Sequence, residues 1–298
     1  CIRDSPKNYR PISLTSAVGK LAERMVNYRL YWWLEKNGLL DHSQAGFRRG
    51  CRTEDQLFRL TQNVIDGFQN KKDTTAIFID LQQAYDRIWR KGLLIKMQKM
   101  GIDGKMLSWV QAFLTNRTIQ TRFEGALSSK ATLEEGLPQG SALSCTLFLI
   151  FLNDLPPLLN VSKALFADDL VIWTTEKYPI LARRKLKTAL TTIGSYCNLW
   201  KLKLNEDKTV YTIFTRSTKP GKKTMTFKLN GKELKREENP IYLGVKLDTK
   251  MSMKEFMKDL KKAAEKRLNL VKRLAGTTWG TEKRTLRQLY IGRCTLAI

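Results

Sequence analysis

The sequence has few of the residues that build zinc sites or disulfide frameworks. It holds one histidine, His42, and five widely separated cysteines with no Cys-x-x-Cys pair, whereas both kinds of site need closely spaced ligands. The longest apolar run, around residues 147–152, is far shorter than the roughly 20 residues that span a bilayer, and no signal-peptide pattern opens the chain. We therefore expect an intracellular, soluble protein without a zinc centre. Because the chain begins with Cys1, we expect it to be a piece of a longer protein.

Acidic residues are scarce relative to basic ones. The chain has 53 Lys and Arg against 28 Asp and Glu, a formal net charge of +25. Such an excess repels itself in a compact state unless a polyanion offsets it. The positive charge recurs along the chain, as in 201–208 and 254–272, which favours a broad binding channel over a local tail. Nucleic acid is the expected partner, and a solvated basic surface is the alternative.

Hydrophobic periodicity predicts the main elements. Helices are predicted over 18–36, 92–115, 180–200 and 253–274, with a further helix that follows Thr53 and has Gln56 as capping-box partner. Strands are predicted over 74–79, 209–214, 225–229 and 241–246, with a pair of strands near 118–134. The segment 143–152 is apolar all round, which predicts a buried helix, although its period alone also allows a strand.

Carboxylates stand at two places where a strand is predicted to end. Asp80 follows the run 74–79, and Asp168-Asp169 separates two apolar stretches in a pattern typical of a hairpin tip. Nucleotidyl transfer uses two divalent ions held by oxygen ligands, and strand ends offer such ligands on a rigid support. Taken alone, each place is more simply an ordinary turn or a helix cap.

Seven motifs follow one another over about 240 residues of the chain. They are Asn8-Tyr9-Arg10-Pro11-Ile12-Ser13-Leu14, Gln44-Ala45-Gly46-Phe47-Arg48, Phe78-Ile79-Asp80-Leu81-Gln82-Gln83-Ala84-Tyr85-Asp86, Gly136-Leu137-Pro138-Gln139-Gly140-Ser141, Phe166-Ala167-Asp168-Asp169, Leu204-Asn205-Glu206-Asp207-Lys208-Thr209 and Tyr242-Leu243-Gly244-Val245. In this order they resemble two fingers motifs, motifs A to D and the primer grip of reverse transcriptases of non-LTR (LINE-like) retrotransposons, most of all the Jockey group. Cys145 departs from the proline that is common there, and Leu81-Gln82-Gln83 is less charged than usual.

The resemblance implies a two-metal site. Asp80 and Asp168 would bind both Mg²⁺ ions, for which Mn²⁺ can substitute, and Asp169 would be a further acidic ligand. Lys208 would protonate the departing pyrophosphate, with a solvated lysine as the alternative. Asp86 is expected to start a helix rather than to bind metal.

The resemblance also implies contacts with nucleotide and nucleic acid. Arg10 would clamp the triphosphate, because a guanidinium grips phosphate oxygens in pairs. Tyr85 would exclude a 2′-hydroxyl and so select deoxynucleotides, while Gln139 and Gly140 would let the backbone approach nucleotide and template. The residues placed against nucleic acid are Arg48 at template phosphates and Tyr242, Leu243 and Gly244 in the primer grip.

The implied architecture is a right-hand polymerase of class α+β. Residues 1–72 would form the fingers, 73–250 a palm with an antiparallel sheet, and 251–298 the start of a helical thumb, while part of 87–134 would return to the fingers. An RNA template, a DNA primer or nicked target DNA, and dNTPs are the implied partners, without a membrane. The family implies cytoplasmic synthesis and nuclear action.

Other functions stay open on the sequence alone. A reverse transcriptase of another lineage, such as a group II intron maturase or a telomerase-like enzyme, would use the same chemistry. An RNA-dependent RNA polymerase fits less well, because Ala167 precedes the Asp pair and Tyr85 would obstruct ribonucleotides. A silent nucleic-acid-binding relic is opposed by the intact acidic motifs. A nuclease has less support, since no second acidic cluster is recognisable.

Overall fold

The computed structural model describes residues 13–14, 16–217, 225–276 and 279–294. Its helices are α1 (Ala17–Lys36), α2 (Thr53–Gln69), α3 (Arg90–Lys99), α4 (Gly104–Leu114), α5 (Ala142–Leu152), α6 (Pro179–Leu199), α7 (Lys254–Leu274) and α8 (Lys283–Cys294). Its strands are β1 (Asp73–Ile79), β2 (Arg117–Ile119), β3 (Arg122–Phe123), β4 (Ala126–Leu127), β5 (Ala131–Leu133), β6 (Ser162–Phe166), β7 (Asp169–Glu176), β8 (Val210–Phe214), β9 (Lys228–Leu229), β10 (Lys232–Glu233), β11 (Lys235–Arg236), β12 (Ile241–Tyr242) and β13 (Val245–Lys246).

A five-stranded sheet forms the centre of the fold, in the order β11-β8-β1-β7-β6. All its neighbours are antiparallel except β11, which runs parallel to β8. The central strand β1 is buried on both faces, because its side chains are apolar or threonine throughout the interior. This mixture of helices around a mainly antiparallel sheet confirms the expected α+β class.

The two faces of the sheet are covered by different elements. On one face Ile77 and Ile79 join the large core that α3, α5 and α6 complete. On the other face Ala76 and Phe78 pack in a second cluster with residues of α2 and of the β12–β13 segment. Alternation of side chains along β1 therefore separates two cores, and the sheet end that carries Asp80 is held from both sides.

The segment predicted as a buried helix is α5. Its side chains are buried on all sides, with Leu147, Phe148 and Phe151 fully enclosed. The strand alternative fails because the segment lies against α1 and α3 rather than pairing with the sheet. Within the described ranges no helix is both long and apolar enough to cross a membrane.

The predicted cap of α2 and the predicted strand 241–246 were wrong. The cap of α2 is not the Thr53–Gln56 pair: the Asp55 carboxylate accepts the Arg52 N–H at 2.7 Å, and the buried Gln56 amide instead donates to the Ser43 carbonyl. The predicted strand 241–246 is a tight hairpin, β12–β13, because the two residues between its strands, at φ 48° and 82°, take left-handed backbone conformations that reverse the chain.

A buried lysine ties α3 to α5 and α6. The Nζ atom of Lys96 donates at 2.6 Å to the Phe151 carbonyl, to Asp154 Oδ1 and to the Tyr196 hydroxyl. It also lies 3.8 Å from the centre of the Trp200 ring. Burial lowers the pKa of Lys96 from 10.5 to about 8, although the hydrogen bond that Lys96 donates to Asp154 acts to raise it.

The lowered pKa of Lys96 predicts that the stability of the fold changes with pH in the alkaline range. Between pH 8 and 10.5 the unfolded chain binds the Lys96 proton and the folded chain does not, so the free energy of unfolding rises with pH. The rise amounts to at most about 3 kcal/mol and is absent below pH 8, where both states are protonated. Urea unfolding should be measured for wild type and Lys96→Met at pH 7 and pH 10. The free energy of unfolding of wild type, relative to that of the variant, should be higher at pH 10 than at pH 7. Lys91→Met, an exposed position on α3, should show no such change.

Candidate active site

The three aspartates meet at one end of the central sheet. Asp80 directly follows β1, and Asp168 lies in the turn between β6 and β7, whose first residue is Asp169. The register pairs Ile79 with Leu170, so Asp80 stands across from Asp169. Both line a cleft of about 340 Å³ that Lys208 also borders. The predicted strand end and hairpin tip are therefore neighbours in space.

Asp80 is held by the turn 205–209. The Asn205 side-chain amide donates to Asp80 Oδ2 at 2.8 Å, and the Asn205 backbone N–H donates to the Asp80 carbonyl at 2.9 Å. The Asp80 N–H in turn donates to Thr209 Oγ1 at 3.3 Å. The motif Leu204 to Thr209 thus orients the carboxylate as well as presenting Lys208. Sequence reasoning assigned no role to Asn205, although it lies inside a recognised motif.

Loss of the Asn205 amide is expected to misorient Asp80. Asn205→Ala should lower kcat for dNTP incorporation by about 10-fold and raise the Mg²⁺ concentration needed for half-maximal rate, since residues behind metal ligands typically carry effects of this size. Steady-state kinetics across a Mg²⁺ titration would measure both. Asn230→Ala is the matched control, because that amide bonds Glu206 in the same turn at 2.7 Å and does not reach Asp80. Equal losses in the two variants would contradict the orienting role.

Asp168 and Asp169 have different surroundings. Asp168 is half-buried and Asp169 is exposed. Burial, the nearby Cys145 thiol and the charge of Asp168 together raise the pKa of Tyr85. Burial and the charge of Asp169 likewise raise the pKa of Tyr242. The two carboxylates therefore act on different tyrosines, Asp168 on Tyr85 and Asp169 on Tyr242.

The ring of Tyr85 lies between the turn and the core. It stacks on Phe148, with ring centres 4.6 Å apart and planes 7° from parallel, and it meets the edge of Phe47 at 6.2 Å. Its hydroxyl is buried next to the Cys145 thiol. The half-buried ring of Tyr85 thus packs as a core tyrosine does, and it also lies beside Asp168.

The loop 136–141 is tied to the segment that carries Tyr85. The Leu137 N–H donates to the Tyr85 carbonyl at 2.9 Å. Gly136 has φ +80°, and a Cβ there would lie 2.7 Å from the Asp86 carbonyl oxygen, so close approach requires glycine. Gln139 is half-buried and donates from its amide to Asp86 Oδ1 at 3.0 Å. Asp86 therefore does not start a helix as predicted, since α3 begins only at Arg90.

Gly140 is the exposed residue that follows Gln139. Its φ of +102° lies in the left-handed region that favours glycine. The loop is thus shaped by glycine at two positions, one against the protein backbone and one toward solvent.

Arg48 is engaged within the protein. Its Nε and NH2 atoms bond the two carboxylate oxygens of Glu35 at 2.9 and 2.7 Å, and NH1 donates to the Asp41 carbonyl at 2.9 Å. The Arg48 guanidinium lowers the pKa of Glu35. Arg48 is therefore a structural ion-pair partner of Glu35, which fits neither an exposed loop arginine nor a guanidinium free to contact template phosphates.

The predicted primer-grip residues border the same cleft as the carboxylates. Tyr242 is buried against Phe78, with ring centres 5.6 Å apart, and Leu243 and Gly244 form the turn of the β12–β13 hairpin. Lys208 is exposed and borders this cleft as well. Arg10 lies outside the described residues.

The carboxylates fit Mg²⁺ in chemical kind, because such ions prefer oxygen ligands. Across residues 13–14, 16–217, 225–276 and 279–294, however, no three Asp, Glu, Cys or His side chains lie close enough together to form a metal centre. Asp80, Asp168 and Asp169 therefore do not form such a centre by themselves, and Mg²⁺ usually takes one or two carboxylates together with substrate phosphates.

The sequence has recognisable relatives among known proteins. The family model described as reverse transcriptase (RNA-dependent DNA polymerase) matches residues 2–247. The probable RNA-directed DNA polymerase from transposon BS of Drosophila melanogaster is 32% identical over 296 residues, which cover 97% of this chain and 32% of that protein. The RNA-directed DNA polymerase from mobile element jockey of the same species is 30% identical, over 86% of this chain and 28% of that protein. The chain thus spans about a third of the length of these relatives.

Solved structures with the same fold include two of telomerase from Candida tropicalis. The complex with a TWJ fragment of telomeric RNA has a TM-score of 0.54 at 11% identity, covering 94% of this chain and 45% of that one. The apo form truncated from the C-terminal domain has a TM-score of 0.52 at 14% identity, covering 78% and 44%. At these identities the likeness shows the fold alone. The retrotransposon relatives confirm the resemblance to the Jockey group, and because the family model covers most of its length, the chain belongs to the reverse transcriptase family.

Proposed function

We propose that this chain is the polymerase part of a non-LTR retrotransposon protein and extends a DNA primer 3′-hydroxyl on an RNA template. The observation that carries the proposal is the cleft where Asp80 and Asp169 stand across from each other with Lys208 at the rim. When bound, two Mg²⁺ ions would activate the hydroxyl and neutralise the triphosphate. Asp80, Asp168 and Asp169 are the residues proposed to hold them, with Mn²⁺ as a substitute.

Other residues bind and orient the reactants in this proposal. Lys208 protonates pyrophosphate as it leaves, since it borders the cleft and is exposed to it. Arg10 grips the triphosphate, and Gln139 and Gly140 contact the incoming nucleotide. The β12–β13 hairpin holds the primer, because it borders the same cleft as Asp80 and Asp169. Arg48 supports the fold around its Glu35 ion pair instead of holding the template.

The partners proposed are an RNA template, a DNA primer or nicked target DNA, and dNTPs. The net charge of +25 supports binding dominated by phosphate contacts, and the names of the curated relatives describe RNA-directed synthesis. We divide the chain into fingers over 1–72, palm over 73–250 and the start of a thumb over 251–298, and we expect action on nuclear DNA.

Primer extension tests the proposal. The chain should incorporate dNTPs on an oligo(dT)-primed poly(A) template when Mg²⁺ is present and not after chelation. Binding of the same duplex should weaken steeply with salt, as counterion release requires. A flat salt response would contradict the charged binding channel. A chain that binds the duplex normally and incorporates nothing would favour the silent nucleic-acid-binding alternative.

Tyr85 is proposed to select the deoxyribose. Its ring is held by Phe148 next to Asp168, where a bulky group would clash with a 2′-hydroxyl. Tyr85→Ala should lower the preference for dNTP over rNTP, as the ratio of kcat/KM values, by at least about 10-fold. Tyr85→Phe is the control and should keep the preference, since phenylalanine keeps the ring that would meet the 2′-hydroxyl. An unchanged ratio in the alanine variant would assign Tyr85 to the core alone.

A further inference from the structure

One glutamine side chain bonds both backbone groups of the residue before the Asp pair. Gln44 Oε1 accepts the Ala167 N–H at 3.1 Å, and Gln44 Nε2 donates to the Ala167 carbonyl at 3.2 Å. The same Oε1 accepts the Gly46 N–H at 2.8 Å, which fixes the amide orientation. Gln44 is 6% exposed, so water competes little for these bonds.

Ala167 needs such support because of its backbone conformation. Its φ of +56° is left-handed, a region that costs a residue with a Cβ of order 1 kcal/mol or more. Ala167 directly precedes Asp168, so its conformation sets the direction in which both carboxylates leave the turn. The Gln44 amide supplies hydrogen-bond partners to the backbone N–H and carbonyl of Ala167.

The segment around Gln44 is itself fixed against β6. The Leu165 N–H donates to the Ser43 carbonyl at 2.8 Å, and the Ala45 N–H donates to the Leu165 carbonyl at 2.9 Å. A Cβ on Gly46 would lie only 2.1 Å from the Ala167 nitrogen. Residues 43–46 therefore form a short brace that touches the Asp168–Asp169 turn through backbone contacts and one amide.

We propose that Gln44 is a positioning residue that holds the Asp168–Asp169 turn in its metal-binding conformation. This inference rests on the proposed polymerase function. Gln44 lies within the predicted fingers and touches neither nucleotide nor metal. Its effect on the reaction passes through the backbone of Ala167.

The test compares Gln44→Met with a matched amide variant. Methionine keeps the volume of glutamine and cannot make the three hydrogen bonds. Gln44→Met should lower kcat about 30-fold while the KM for dNTP changes less than about 3-fold, since small displacements of catalytic groups have effects of this order. The control is Asn153→Leu, because the Asn153 amide brackets the neighbouring loop in the same way, accepting from Asp41 N–H at 2.8 Å and donating to the Leu39 carbonyl at 2.7 Å. Its kcat should change less than about 3-fold.

Two measurements do not depend on catalysis. Amide hydrogen exchange of a peptide covering 164–170 should accelerate in Gln44→Met and not in Asn153→Leu. The affinity for Mn²⁺ alone, measured by electron paramagnetic resonance, should fall at least about 10-fold in Gln44→Met, the size expected for a residue behind metal ligands. If Gln44→Met fails to fold, Gln44→Asn is tested in its place, because its amide is too short to bridge both groups of Ala167.

The results separate this inference from the proposed function. If the wild-type chain incorporates nucleotides but Gln44→Met and Asn153→Leu lose equal activity, or exchange over 164–170 is unchanged, the positioning role is overturned and the polymerase proposal stands. If the wild-type chain incorporates nothing, the polymerase proposal fails. Even then, unchanged exchange and Mn²⁺ binding in Gln44→Met would overturn the brace, and altered values would support it.

Discussion

Replacing Asp168 and Asp169 together with asparagine is expected to reduce Mg²⁺-dependent dNTP incorporation by about three orders of magnitude or more. Asparagine has nearly the same shape as aspartate and lacks its charge, so the change removes affinity for divalent ions while the turn keeps its backbone. Asp168 is half-buried and Asp169 exposed, so the double variant is expected to keep the stability of the wild-type fold. Single-nucleotide incorporation on a primed RNA template would measure the effect.

The control for this double variant is Asp103→Asn. Asp103 is exposed, precedes α4 and makes no side-chain cap hydrogen bond, so its charge can be removed far from the cleft. Incorporation at the wild-type rate is expected there. Activity that survives the double substitution would mean that the metal site lies elsewhere in the protein, whatever the control shows.

Gly46→Ala is expected to destabilise the fold by about 3 kcal/mol, as overpacking against a backbone typically does. The added Cβ would lie 2.1 Å from the Ala167 nitrogen and 2.8 Å from the Phe166 carbonyl carbon, and neither atom can move without shifting the turn. Activity should fall further than stability alone explains, because the shift displaces Asp168. Urea unfolding and incorporation assays on the same preparation would measure the two effects.

The matched control is Gly194→Ala. Gly194 lies inside α6, and a Cβ there would meet nothing within 4 Å. Because alanine favours a helix over glycine by about 1 kcal/mol, this variant should be unchanged or slightly more stable. A Gly46→Ala protein of wild-type stability and activity would show that residues 43–46 do not press on the turn.

Sequence reasoning located the carboxylates because their neighbours are strongly patterned. The β-branched and aromatic run before Asp80 and the apolar stretches around Asp168 could be read as strands ending at acidic residues, and the β1–β7 register brings them together. It missed the side chains that orient these residues. Gln44 and Asn205 act across 123 and 125 positions of the chain, respectively, and no local pattern reports such distant contacts.

Arg48 shows that sequence reasoning also misses the distant partners of charged residues. Within its motif an arginine on a loop suits a phosphate, but the fold places Glu35 at the end of α1 against it. Two charges separated by 13 positions pair only when the intervening turn returns the chain. The sequence shows the charge of a side chain, and the fold decides which partner it meets.

Hydrophobic period by itself predicted most helices and the central strand, because it depends on neighbouring residues. Motif order, through the family resemblance, supplied the α+β class and the three aspartates as candidate metal ligands. Only the tertiary structure decided that Asp80 faces Asp169 while Asp168 turns toward Tyr85, that 241–246 is a hairpin, and that the amides of Gln44 and Asn205 bond Ala167 and Asp80. Those features arise from strand register, left-handed turn residues and contacts between distant segments, which exist only after the chain has packed.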